Sequence, residues 1–426
     1  MMDFHEILSK FKRNKTLING GLFSIYSFLG RGIAFLLLIL LANYIPPAEY
    51  GSLSLFTTVV SFVAIFMSLN TYGYFSISYF KKSEEEFKKD FTSIFIIGLA
   101  TLLFFLLVVI VGGHYINDAL ELSQKLLIYA VIISFFSFLF HIQQDYYRIK
   151  EKVVTYGYYN VGNALLNFAF SLFLVITIGQ GWMGRVNAQL ICTVTFGLLS
   201  IYTFAHSKLF KINWEKDRYK EILSWGLPMI PHHATGWIRQ GLDRYIINYH
   251  YTIYQVGIFS YALNVSNVIE MIGMAFNATN SVTLFRTLSD KALTNKQIIV
   301  KLRRQTRLIG MIYLVASATT MVLISIITYL ALPKYQDSIP YIWILCLAGF
   351  LKCIYFLYCN YLFYYSKTKN LMYITFGTSI MHLLLSLGLT QFSLFYTAII
   401  YVVVQATITM LVYVQSKKLL RLELLQ

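Results

Sequence analysis

The sequence predicts an all-α polytopic membrane protein of about twelve transmembrane helices, and three observations carry that expectation. Of its 426 residues 57% are hydrophobic and only 13% charged, with a mean hydropathy of +0.62, whereas a soluble domain carries roughly 25% charged residues. The apolar residues gather into runs long enough to cross a bilayer, for which about 20 residues suffice. The basic residues lie in the short segments that join alternate runs.

In chain order the runs fall near 17–44, 51–79, 91–113, 125–144, 154–178, 184–205, 223–247, 254–285, 308–331, 338–363, 371–389 and 393–415. Of 35 Lys and Arg residues, 28 occupy one alternating set of connections: 10–15, 81–89, 148–152, 208–220, 286–307, 367–369 and 417–421. Only Lys125, Arg185 and Lys334 occupy the other set. By the positive-inside rule both termini are cytoplasmic and the number of spans is even. The net charge of +16 is therefore a topology signal, and no nucleic acid is expected as a partner. The first run is too long for a signal-peptide core. Ahead of it, Phe4, Ile7, Leu8 and Phe11 share one helical face, which suits an interfacial helix. The longest basic loop, 286–307, serves topology and attraction to anionic lipid. Cys192, Cys346, Cys353 and Cys359 lie inside apolar runs without metal-ligand spacing, so neither a metal nor a disulfide framework is expected.

The chain divides into a cytoplasmic segment 1–16, a six-helix lobe 17–205, a basic linker 206–221, a second six-helix lobe 222–415 and a tail 416–426. Moving the second half back by 206 positions sets Gly257 on Gly51, Ser260 on Ser54 and Val265 on Val59. Two pseudo-symmetric six-helix bundles around a central cavity are the architecture this suggests.

Charges near the bilayer midplane cost at least about 2.5–3.5 kcal/mol each, so they mark candidate sites. Arg31 lies at the centre of the first run. Arg239 and Asp243, four residues apart, are expected to pair, with Arg244 in reach of Gln240. Glu270, Lys352 and His382 lie in mid-run, and His141 near the end of the fourth. Arg31, Arg239, Arg244 and Lys352 are candidate cations for an anionic ligand, because guanidinium groups match phosphate geometry and stay charged when desolvated. Glu270, Asp243 and His382 are candidates for ion coupling. Glu270 is favoured because no basic residue stands within four positions on its own helix, although a structural pair with Lys352 would remove it. Pro228 and Pro231 should kink or interrupt the seventh run and form a gate. Asparagines at 160, 163, 167, 264, 267, 277 and 280 suit helix packing first and sugar hydroxyls second.

The stretch Trp225-Gly-Leu-Pro-Met-Ile-Pro-His232, with Trp237 and Asp243-Arg-Tyr-Ile-Ile247, resembles the Wzx-type O-antigen flippases of the multidrug/oligosaccharidyl-lipid/polysaccharide superfamily. Leu29-Gly-Arg31, Pro47-Ala-Glu-Tyr-Gly51, Gln144-Asp-Tyr-Tyr-Arg148 and Val256-Gly-Ile-Phe-Ser-Tyr261 extend the resemblance in order over most of both halves. It implies a two-lobed transporter of the bacterial inner membrane with a cationic cavity and alternating access. The implied substrate is an undecaprenyl-pyrophosphate-linked oligosaccharide, moved to the outer leaflet among membrane lipids. A polysaccharide polymerase and a chain-length regulator are the implied pathway partners. No cofactor is implied, and no GxxxxGK[ST] phosphate loop occurs. A drug antiporter of the same superfamily calls for an acidic cavity. A membrane polymerase or glycosyltransferase calls for a large outer loop with catalytic groups. The sequence offers neither, so no enzyme is expected.

Overall fold

A computed structural model describes residues 15–67, 69–290 and 292–424, all of its regular structure helical. The expected interfacial helix around Phe4–Phe11 lies outside the described residues. Eleven of the described helical stretches are long and apolar enough to cross a membrane. Their outward surfaces stay apolar, as on α4 (Glu84–Leu120), where Leu103, Phe104, Leu107, Ile110 and Val111 are exposed. Such faces suit lipid, since an exposed apolar area of this size would be a liability in water.

Local chemistry sets the helix ends. α1 (Lys15–Tyr44) stops before Pro46, and Pro47 opens α2 (Pro47–Met67) at the first helical position, where a missing N–H costs nothing. Leu69 and Asn70 have φ of 44° and 57°, which separates α2 from α3 (Tyr72–Lys81). Ser83 caps α4 by accepting from the Glu86 N–H at 3.3 Å, with Glu84, Glu85 and Glu86 in the positive first turn. α5 (Gln124–Ile149) and α6 (Val153–Leu172) follow, and a π turn at Phe173–Thr177 leads to α7 (Gly181–His206). Past the linker come α8 (Lys216–Gly226), a 3-10 turn at Leu227–Met229, α9 (Ile230–Gln240) and α10 (Leu242–His250). α11 (Ile253–Leu288) and α12 (Asn295–Ala331) each begin with a reciprocal capping box, Thr252 with Gln255 and Thr294 with Gln297. α13 (Ile339–Tyr364), α14 (Thr368–Leu389) and α15 (Leu394–Leu424) complete the order.

The structure refines two sequence expectations. The seventh run is not one rod. Pro228 and Pro231 fall at the 3-10 turn and the start of α9, and a second break comes at Gly241, so α9 and α10 hold 11 and 9 residues. Neither can span the hydrocarbon alone. The basic stretch 286–307 is largely helix rather than loop, because α11 runs to Leu288 and α12 starts at Asn295.

The chain forms two compact units. Of the described residues, the first comprises those up to Ile45 together with Leu55–Ala234; the second comprises Pro46–Ser54 and those from Thr235 onward. In the first, α1 packs on α6, and α5 on α7. In the second, α13 packs against α11 and α15. The segment 46–54 joins the second unit through a backbone crossing with α11. A Cβ on Gly257 would strike the Pro47 carbonyl, and a Cβ on Gly51 would strike the Ile253 carbonyl. Positions 47 and 253 differ by 206, as do 51 and 257, so the offset maps this contact onto itself. Contacts about a two-fold axis behave in this way.

Candidate functional site

In the second unit a cleft of about 580 Å³, counting its open mouth, lies between α9, α11, α13, α14 and α15. Arg239, Asn267, Glu270, Lys352, His382 and Gln405 supply its polar lining. Five elements thus bring charged or polar side chains from widely separated parts of the chain to one wall.

Glu270 and Lys352 form an ion pair, Oε2 to Nζ, of 2.6 Å with both side chains partly exposed to the cleft. The expectation that Glu270 stands apart from bases therefore holds only along α11, since its cation arrives from α13. Arg239 makes no ion pair among the described residues; its Nε donates to the Thr235 carbonyl at 3.3 Å. The expected Arg239–Asp243 pair does not form. The rule that residues four apart meet presumes one continuous helix, and Gly241 interrupts it between α9 and α10.

Asp243 turns instead toward α14. Its Oδ2 lies 2.8 Å from His382 Nε2, and its Oδ1 accepts from Ser386 Oγ at 2.5 Å. Both Asp243 and His382 are 1% exposed. Ser386 continues to Thr390 at 3.4 Å and Thr390 to Thr397 at 3.0 Å, a run of hydroxyls leading from the carboxylate. The Tyr401 ring stands edge-on to His382 at 5.0 Å. Arg244 lies beside this group but is held elsewhere. Its guanidinium donates to Ser260 Oγ at 3.2 Å, the Gln240 carbonyl at 3.1 Å and Asn264 Oδ1 at 3.5 Å.

The cleft thus gathers Arg239, Lys352, Glu270 and His382, with Asp243 behind His382 and Arg244 committed to α11. Arg31 belongs to the first unit. It is exposed on α1 and has no hydrogen bond or ion pair among the described residues. The asparagines divide by role. Asn277 accepts from Asn360 at 2.7 Å, Asn280 from Gln305 at 2.7 Å and Asn167 from Arg185 at 2.8 Å, all between helices. Asn267 faces the cleft. The side-chain oxygens of Asn160 and Asn163 are buried without a partner among the described residues.

Two groupings in the first unit go beyond the sequence reading. One is a polar cleft of about 1160 Å³ with Asn70, Tyr72, His141, Asp145, Arg148 and His233 on its wall. Arg148 pairs with Asp145 there at 2.7 Å. The other is a buried ionic cluster that fastens α8 to α3 and α4. Asp90, 0% exposed, takes Arg218, Lys82 at 3.0 Å and Ser78 Oγ at 2.6 Å. Arg218 also reaches Glu86 at 2.5 Å and Glu215 at 2.9 Å, while Lys82 reaches Glu221 at 3.0 Å. Burial works against the Arg218 charge, but hydrogen bonds to Glu86, Asp90 and Glu215 outweigh it and raise its pKa. The Glu221 carboxyl is held below the usual range, first by the Tyr74 hydroxyl and then by Lys82. Part of the segment read as a linker is therefore a docked helix. Its apolar–charged alternation was visible in the sequence, but nothing there identified Asp90 as its anchor.

Comparisons with known proteins agree with this architecture. Residues 17–290 match the model of the family described as polysaccharide biosynthesis protein. A Haemophilus influenzae protein described as an uncharacterized membrane protein is 23% identical over 360 residues, 82% of this chain and 84% of that one. Among solved structures, an inward-facing multidrug resistance MATE transporter of the MOP superfamily superimposes with a TM-score of 0.73 at 12% identity, covering 94% of each chain. An outward-facing MATE transporter of the MOP superfamily gives 0.63 at 15% identity, covering 94% of this chain and 95% of that one. At such identities the likeness is one of fold.

Proposed function

Since the chain belongs to the polysaccharide biosynthesis protein family and has the MOP transporter fold, we propose that it is a flippase for an undecaprenyl-pyrophosphate-linked oligosaccharide. In this reading it carries O-antigen or a similar repeat unit from the cytoplasmic to the outer leaflet of a bacterial inner membrane. Both termini are cytoplasmic, the lipid tail stays in the bilayer, and a polysaccharide polymerase and chain-length regulator act downstream. Family and fold favour a transporter over an enzyme.

The observation that supports this reading best is Arg239, a guanidinium inside an apolar bundle, lining the cleft with no ion pair among the described residues. A cation so placed is costly unless a ligand or water answers it, and its paired N–H donors fit a pyrophosphate. Lys352 is a further cation for the same ligand, and Arg31 is a candidate anion contact of the first unit by itself. Pro228 and Pro231 give the segment before Arg239 its freedom to rearrange.

Transport without a nucleotide needs an ion or a substrate gradient. The Asp243–His382 pair is the better proton carrier in this reading, because Glu270 already has a lysine partner. With Asp243 ionised and His382 neutral, Nε2–H donates to the carboxylate; a second proton on Nδ1 makes an imidazolium. The charge of the pair then changes by one while its hydrogen bond persists. Arg239, Arg244, Glu270, Lys352 and Tyr401 surround it.

The test is translocation in proteoliposomes. A fluorescent polyprenyl-diphosphate oligosaccharide placed in one leaflet should become accessible from the other when the wild-type protein is present. Arg239→Ala should slow this by about tenfold or more, the worth of one or two charge-assisted hydrogen bonds, and Arg239→Lys should retain part of the rate. No movement with the wild-type protein, or an Arg239→Ala variant as fast as wild type, overturns the assignment.

A further inference from the structure

The second unit has another cleft, built of different residues, where α12, α13 and α15 meet. It encloses about 940 Å³, counting its mouth. Arg303 and Arg307 stand one turn apart on α12, and Lys417 joins them from α15. Tyr358 supplies a hydroxyl from α13, while Ile354 and Leu357 supply apolar wall. No carboxylate lines it.

Several other cations in this chain are answered by an acid. Lys88, Lys89 and Arg148, also near helix ends, each have a carboxylate within 3 Å, at 2.7, 2.9 and 2.7 Å. Arg303, Arg307 and Lys417 make no ion pair among the described residues. Like charges one helical turn apart repel, and adding Lys417 from another helix concentrates the field further. An anion relieves both.

The position indicates which anion. Arg307 immediately precedes the apolar run of α12, whose Leu308, Met311 and Leu314 are exposed, and Lys417 lies just past the apolar run of α15. The three cations therefore sit at headgroup depth, with apolar wall on the hydrocarbon side. Inorganic phosphate would use only the cations. A phosphodiester carrying acyl chains uses the whole cleft, its phosphate against the two guanidinium forks and a chain along Ile354 and Leu357. We propose that this cleft is a binding site for the phosphate headgroup of an anionic phospholipid. The proposal does not depend on the transport reading, because the site is judged by lipid occupancy.

The experiment uses the full-length protein in detergent, titrated with phosphatidylglycerol or phosphatidylcholine and followed by native mass spectrometry. Wild type should retain one phosphatidylglycerol in preference to phosphatidylcholine by on the order of tenfold. R303Q/R307Q should lose that preference and K417Q should lose part of it. K296Q/K301Q, which removes the same charge from α12 outside the cleft, should keep it. Equal retention of both lipids, or equal loss in K296Q/K301Q, overturns the site in favour of a diffuse basic surface. Displacement of phosphatidylglycerol by inorganic phosphate at comparable concentration, or by a polyprenyl diphosphate at lower concentration, overturns the choice of phospholipid. All three side chains are exposed, and the single K417Q change reads the site even where the double variant expresses poorly.

Discussion

Two aspartates are buried among the described residues, one in each unit, and their partners differ in kind. Asp90 is surrounded by cations that never lose their charge at neutral pH, Arg218 and Lys82, with Ser78 completing the shell. Asp243 has His382 and Ser386. Burial of a carboxylate is tolerable in both places because its oxygens are answered. In the proposed reading, the second arrangement is the one that carries the proton. One aspartate thus suits fastening a helix, and the other suits a moving part.

The largest effect that tests this contrast is on stability. Asp90→Asn leaves Arg218 with its charge and without its buried counter-ion, and should destabilise the protein by about 3–5 kcal/mol. Asp243→Asn keeps a side chain that can hydrogen-bond to His382 and Ser386, and should cost about 1–3 kcal/mol. Thermal unfolding of the detergent-solubilised variants ranks them; equal losses would erase the distinction.

Transport gives the second comparison. His382→Gln should fold, still translocate under a substrate gradient, and lose its acceleration by an imposed pH gradient. Arg218→Gln, where it folds, should retain that acceleration. Vesicle assays with and without the pH gradient separate the two, and an intact response in His382→Gln would assign proton coupling elsewhere.

The smallest effect concerns the rim of the Asp90 cluster. Glu221 has its carboxyl pKa lowered by Tyr74 and then Lys82. A lowered folded value means its stabilisation is fully present above the unfolded value, roughly 4.3, and disappears as pH falls through the folded one. Between about pH 7 and about pH 3 wild type should therefore lose more stability than Glu221→Gln. The difference should be only about 0.2–1 kcal/mol, because half of this side chain is in water. Melting curves across that range measure it, and parallel curves would deny the pair any role.

These contrasts also show what the sequence could and could not reveal. Apolar run length and charge asymmetry are local or cumulative properties, so the helical membrane fold was legible. Pro228 and Pro231 announced one break in the seventh run, because a proline acts wherever it stands. Gly241 carried no comparable signal, and an unbroken register through it gives the wrong partner for Asp243. The Glu270–Lys352 pair was conceivable from composition, but its existence depends on how α11 packs on α13. Asp90 looked like an ordinary polar residue at a helix entrance. Its role depends on Arg218, 128 positions later, and local periodicity cannot see that distance.

The crossing of Gly51 with Gly257 has a consequence for how such a chain can change. In a dimer of identical subunits a contact of this kind is specified once, and any change appears on both sides together. In a single chain the two halves are encoded at separate positions, and a substitution reaches one side only. Yet each glycine here is confined by the main chain of the opposite half, through Ile253 in one direction and Pro47 in the other. Main chain cannot be trimmed to make room, as a side chain can. Alanine at either position meets the same obstruction, and a smaller residue opposite cannot compensate because glycine already stands there. The two halves are free to drift apart over most of their length, but at this point each keeps a constraint written by the other.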